Sequence, residues 1–251
     1  HICDAAIYSI ENGKTHYTAN QGLFELRREI CNYHKRGFQM DYDPNDNVIV
    51  TVGGSEGIDI ALRALIDPGD EVITMNPSYV AYTPGITLAG GVCVPVELKH
   101  EDDFKLLPEA LEAAISEKTK VLLINFPSNP TGGVMSHEDY AKLVPIIRDH
   151  HLIVIASLAQ FDEIKDQVIV INGFSKAFAM TGWRLGYILA NPTLIQAMNK
   201  IHQYVIMSAP TAAQYGAIEG LRKGLPHVQE MVDSYRARRN FIVSGFNRIG
   251  L

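Results

Sequence analysis

The chain has 251 residues, 47% hydrophobic and 20% charged, the balance of a globular protein able to bury a full core. Its net charge of -6 comes from interspersed acids and bases rather than a block of one sign, which argues against nucleic acid or an anionic membrane surface as the main partner. No apolar run approaches the roughly 20 residues that span a bilayer, and the first residues carry no signal pattern, so a cytoplasmic location is expected.

Cys3, Cys31 and Cys93 are widely spaced, odd in number and without metal-ligand spacing. They are expected to be reduced packing residues, with neither a disulfide framework nor a metal site. The chain begins at His1 and ends at Gly250-Leu251 straight after a helical pattern, and both ends read as cuts within something longer.

From Val48 to Ile155 one plan repeats: a short β-branched run, a turn, then an apolar pattern of helical period. Val48 to Val52 reads as a strand, Ile58, Ala61, Leu62 and Leu65 as a helix stripe, and Asp67-Pro68-Gly69-Asp70 as a turn. Further strands are expected at Glu71 to Met75, Val92 to Val96, Val121 to Asn125 and Leu152 to Ile155, nearly continuous apolar runs that suit burial on both faces. Pro108 suits a first helical turn, and Ser136 with Asp139 predicts a capping box ahead of the stripe Tyr140, Leu143, Val144 and Ile147.

Val168 to Ile171 and Leu185 to Ala190 are two more strands, and the 13 residues between them show no helical stripe. A parallel crossover of that length normally contains a helix, so this pair is expected to be antiparallel. After Pro192 the pattern turns helical, first at Leu194, Ala197 and Ile201, then in a long terminal helix marked by Val228, Met231, Tyr235 and Ile242. The expected architecture is a three-layer α/β/α domain over residues 1–225, built on a mostly parallel seven-stranded sheet. Residues 226–251 form a long helix leading into a small second domain that is largely missing.

In an open α/β sheet, ligands bind beyond the carboxyl ends of the strands, and three motifs fall there. Gly53-Gly54-Ser55 joins a strand to a helix, where free N–H groups, close backbone approach and a hydroxyl suit a phosphate; a strand-to-helix turn also uses glycine for backbone freedom alone. Asn125-Phe126-Pro127-Ser128-Asn129-Pro130-Thr131-Gly132 follows another strand and reads as a rigid turn, or as a device that fixes the Asn129 amide in the cleft. In Ser175-Lys176-Ala177-Phe178-Ala179-Met180-Thr181-Gly182-Trp183-Arg184 the lysine has small or apolar neighbours and a cation eight residues on. A lysine in an apolar pocket near another cation has the lowered basicity that a Schiff-base amine requires.

Together with Tyr17-Thr18, these motifs resemble those of the class I/II aminotransferases of the aspartate aminotransferase superfamily, the fold-type I pyridoxal-phosphate enzymes. The resemblance covers nearly the whole chain. It implies that Lys176 bonds covalently to pyridoxal 5'-phosphate and then acts as general acid and base. Gly54, Ser55, Ser175 and Arg184 would hold the phosphate through charged hydrogen bonds of about 1.5–3 kcal/mol each. Tyr17 would reach the phosphate of a neighbouring subunit, making the active unit a homodimer with shared sites. Tyr79 would stack on the pyridine ring and Asn129 would bond its phenolic oxygen.

The resemblance fails in one place. After the strand ending at Ile155 the family carries an Asp that keeps the pyridine nitrogen protonated, and a Tyr soon after; here the chain reads Ala156-Ser157-Leu158-Ala159-Gln160-Phe161. Either the residue has been lost, leaving a poor enzyme, or a segment of about twenty residues is absent at the Ala156-Ser157 join. The second reading is favoured, because the join passes from a buried strand to an unrelated loop with no turn chemistry. The arginine that clamps the substrate carboxylate in the family belongs to the missing small domain; Arg236, Arg238 and Arg239 read instead as a solvated helix face.

The implied reaction is ping-pong transfer of an amino group from an amino acid to a 2-oxo acid, with 2-oxoglutarate the expected acceptor and aspartate, aromatic or acetyl-diaminopimelate donors. The alternatives are a carbon-sulfur β-lyase of the same fold, and an aminotransferase-like effector domain of a transcription regulator.

Overall fold

The computed structural model describes residues 1–156 and 161–250. Among them seven strands form one sheet: β1 (Val48–Thr51), β2 (Glu71–Asn76), β3 (Val92–Glu97), β4 (Thr119–Leu123), β5 (Ile153–Ala156), β6 (Val168–Gly173) and β7 (Gly186–Leu189). Their order is β1-β7-β6-β5-β4-β2-β3. The strands β2 to β6 pair in parallel, while β7 runs antiparallel to both β6 and β1. The mostly parallel sheet and its antiparallel pair are therefore as the sequence predicts, with strand ends shifted by a residue or two.

Alternate side chains along each strand enter opposite cores. Val48 and Val50 of β1, Ile73 of β2, Leu122 of β4, Val154 of β5 and Val170 of β6 pack on one face. Ile49, Val72, Val121, Ile155 and Ile169 pack on the other. Full burial of such a side chain contributes about 1.5–3 kcal/mol, which fixes the register because a slip by one residue would exchange the two sets.

The first face is covered by α2 (Phe24–Phe38), α5 (Pro108–Ala114), α6 (His137–Asp149) and α8 (Thr211–Lys223). The second carries α3 (Gly53–Leu65), α4 (Tyr82–Leu88) and α7 (Pro192–Val205). Helix α6 has the predicted capping box: the Asp139 amide donates to Ser136 Oγ and the Ser136 amide to the Asp139 carboxylate. These bonds, with Lys105 at 3.0 Å, hold the Asp139 carboxyl down at about 2.

The helices α1 (Ile2–Glu11), α2 and α8 were not anticipated. In α2 the buried face includes Arg27, Glu29 and His34 beside Leu26 and Ile30, so no clean apolar stripe marks it. The terminal helix α9 (Leu225–Arg248) is as expected, and Arg236, Arg238 and Arg239 lie on its exposed surface. Cys31 is buried and Cys93 half-buried, but Cys3 is exposed, which corrects its reading as a packing residue. No helix of the described residues is long and apolar enough to cross a membrane.

Candidate active site

The direction of the strands brings the motifs together. Because β7 is antiparallel to β1 and β6, the residues entering β7 lie on the same sheet edge as those leaving β1 and β6. Gly186, the first residue of β7, touches the start of α3: a β-carbon there would stand 2.6 Å from the Gly53 carbonyl carbon and 2.7 Å from the Gly54 nitrogen. Only glycine permits that approach.

Arg184 is thereby carried to the first turn of α3. Its backbone is left-handed, φ +53°, and Nη1 donates to the Thr181 carbonyl at 3.2 Å. Gly53 has φ +76°, and a β-carbon on it would lie 2.7 Å from Arg184 Nη2. A guanidinium thus sits against the N-terminus of a 13-residue helix, whose first N–H groups and dipole favour an anion. Thr51 Oγ1 donates to the Gly53 carbonyl at 2.9 Å and pins the turn from the strand side.

Beside this turn is a cavity of about 340 Å³ bounded by Gly54, Tyr82, Asn125, Asn172, Ser175 and Lys176. The end of β5, Ile155 and Ala156, also lines it. Tyr79 and Asn129 border an adjoining recess that shares the walls Tyr82 and Asn125. Of the residues predicted from sequence, Gly54, Ser175 and Lys176 line the cavity, Arg184 abuts its glycine turn, and Tyr79 and Asn129 stand one recess away.

Three expectations need correction or qualification. Lys176 reaches the cavity but is exposed at its rim, not enclosed by apolar neighbours. Ser55 is exposed on the first turn of α3 and does not line the cavity, so its backbone neighbour Gly54 is the one facing inward. Tyr17 is 80% exposed and lines neither this cavity nor the adjoining recess. The expected join at Ala156-Ser157 involves residues 157–160, which lie outside the described residues, and the question of the missing Asp lies there with it.

Sequence reasoning missed Tyr82 and Asn172. Tyr82 is buried with its hydroxyl toward Asn125; burial pushes the phenol above its ordinary range and the Asn125 bond works against that. Its edge meets the Tyr79 ring at 5.5 Å between centroids. The clue was the pair of tyrosines three residues apart directly after β2, of which only the first was read as functional. Among the described residues no cluster of side chains suited to a metal occurs.

Residues 2–251 match the family model described as aminotransferase class I and II. A Bacillus subtilis protein named as an aminotransferase, YugH, is 46% identical over 264 aligned positions, covering 100% of this chain and 68% of that protein. The aspartate aminotransferase of Pyrococcus abyssi is 36% identical over 268 positions, covering 100% of this chain and 69% of the relative. Among solved structures, an aromatic aminotransferase from Pyrococcus horikoshii superposes with a TM-score of 0.96 at 34% identity, over 100% of this chain and 72% of that one. The chain is thus an amino-acid transaminase and belongs to the class I and II aminotransferases of the aspartate aminotransferase superfamily, a family that uses pyridoxal phosphate.

Proposed function

We propose that this transaminase seats pyridoxal phosphate with its phosphate at the first turn of α3, and that Lys176 is the covalent and catalytic residue. The observation that carries the reading is the Arg184 guanidinium lying against Gly53 on the same sheet edge that presents Lys176. The residues fit the group: a glycine turn with free N–H donors, a cation and the Ser175 segment surround one end of a cavity, and an amine stands on its rim. Gly54, Ser175 and Arg184 would hold the phosphate, with Ser55 contributing only from the exposed side of the same turn; Tyr79 would face the ring and Asn129 its phenolic oxygen. Tyr17 would complete the phosphate site of the second subunit in a homodimer.

When bound, the cofactor supplies an electron-withdrawing ring that stabilises charge developing at the substrate α-carbon. The chain supplies positioning and proton transfer. Lys176 Nζ would take the proton from the substrate α-carbon as general base and deliver it as general acid to the cofactor carbon that receives the amino group, so that the α-carbon is left at the oxo-acid level. Arg184 and the α3 turn would keep the cofactor in place when Lys176 is not bonded to it. The ring-nitrogen carboxylate belongs to the segment absent after Ala156. In support, the alignment with the Pyrococcus abyssi relative has 268 positions against 251 residues here, a difference of 17.

The donor is an amino acid of the aspartate or aromatic kind and the acceptor a 2-oxo acid, 2-oxoglutarate foremost, in the cytoplasm. The full chain with pyridoxal phosphate should convert such a donor to its oxo acid only when an acceptor is supplied. Release of pyruvate from a Cβ-substituted donor with no acceptor present would contradict the reading.

A further inference from the structure

The first turn of α3 also contains a carboxylate. Glu56 reaches back to accept the Val52 N–H through Oε2, placing a negative charge beside the anion-binding turn. Left bare, that charge would oppose a phosphate dianion at the same helix end. It is not left bare. Glu56 Oε1 lies 2.6 Å from Nδ1 of His202, a fully buried histidine on α7, and Nε2 of the same ring lies 2.8 Å from the Asn20 carbonyl.

A carbonyl only accepts, so Nε2 carries a proton. A carboxylate 2.6 Å from Nδ1 needs a second proton on that line, held by either partner. The Glu56–His202 pair therefore carries no net charge wherever that proton sits. The pair also joins three pieces of chain: the α3 turn, helix α7 and the segment of Asn20, which adjoins Tyr17 and is bonded to Gln203 of α7 at 3.2 Å.

We propose that Glu56 and His202 are positioning residues for the phosphate site: Glu56 closes the α3 turn, and His202 cancels its charge so that the turn can still take an anion. Neither residue lines the cavity beside Lys176, so neither is assigned contact with the cofactor. The inference rests on the reading of this turn as the phosphate seat.

The test compares affinities of the full chain for pyridoxal phosphate and for pyridoxal, which lacks the phosphate; their ratio reports the phosphate site alone. His202→Gln, which leaves the Glu56 charge uncompensated, should lower that ratio about tenfold, and the double variant Glu56→Gln/His202→Gln should recover it to within about threefold of the wild type. A role confined to holding the fold would lower both affinities together and would not be rescued by the second substitution. If His202→Gln does not fold, His202→Asn is read by the same ratio, and the uncharged double variant must still keep the wild-type preference. An unchanged ratio in the single variant, or no recovery in the double, overturns the proposal. A wild-type chain that binds pyridoxal as tightly as pyridoxal phosphate overturns the phosphate seat itself, a separate result.

Discussion

A β-carbon on Gly53 would stand 2.7 Å from Nη2 of Arg184, so the guanidinium occupies the space that any other residue at position 53 would need. The residues are far apart in sequence and meet because β7 runs antiparallel between β1 and β6. Gly53→Ala must therefore displace Arg184 and also hold a side chain at φ +76°. The expected outcome is a loss of about 1–3 kcal/mol in urea denaturation from the backbone alone, accompanied by weaker binding of pyridoxal phosphate. Full stability with unchanged affinity would show that the contact is incidental.

Tyr17 is 80% exposed on this chain, so removing its hydroxyl disturbs no internal packing. Tyr17→Phe is expected to leave the unfolding midpoint where it is and to weaken cofactor binding about tenfold, the value of one charge-assisted hydrogen bond. Equilibrium dialysis checks the second expectation and thermal unfolding of the cofactor-free chain the first. An unaltered affinity would remove Tyr17 from the shared site.

His34 offers a pH dependence independent of the active site. It is fully buried, with Nε2 2.8 Å from the Tyr187 hydroxyl and no partner at Nδ1 among the described residues, and burial lowers it from 6.5 to about 4. The unfolded chain then binds the extra proton first, so stability is full above pH 6.5 and declines as pH falls toward about 4. The complete loss amounts to about 3 kcal/mol, at 1.36 kcal/mol per unit. His34→Gln, which cannot take up that proton, should flatten the decline of the urea midpoint across this window. A variant that falls as steeply as the wild type would place the acid sensitivity elsewhere.

The sheet was legible because strands buried on both faces leave continuous apolar runs, as at Val121 to Leu123, and because a short stretch without a helical stripe left β6 and β7 no parallel crossover. The site motifs were legible because each follows a strand end. Helix α2 was not, since Arg27, Glu29 and His34 share its buried face with Leu26 and break the apolar period. Glu29 is held there chiefly by Arg222 of α8, which pairs with it at 3.0 Å, a partner that no local pattern reveals. The same holds for Tyr82, whose value depends on Asn125, and for His202, whose partner Glu56 is 146 residues away. Lys176 was expected to be enclosed because its sequence neighbours are small or apolar, yet enclosure depends on what stands above the rim, and local sequence does not encode that.

One amine, Lys176 Nζ, is expected to form the covalent bond. The full chain, incubated with pyridoxal phosphate and reduced with borohydride, should carry a single pyridoxyl group on the peptide containing Ser175-Lys176-Ala177, and Lys176→Ala should carry none. Labelling on another lysine, or a Lys176→Ala chain labelled as fully as the wild type, would contradict it.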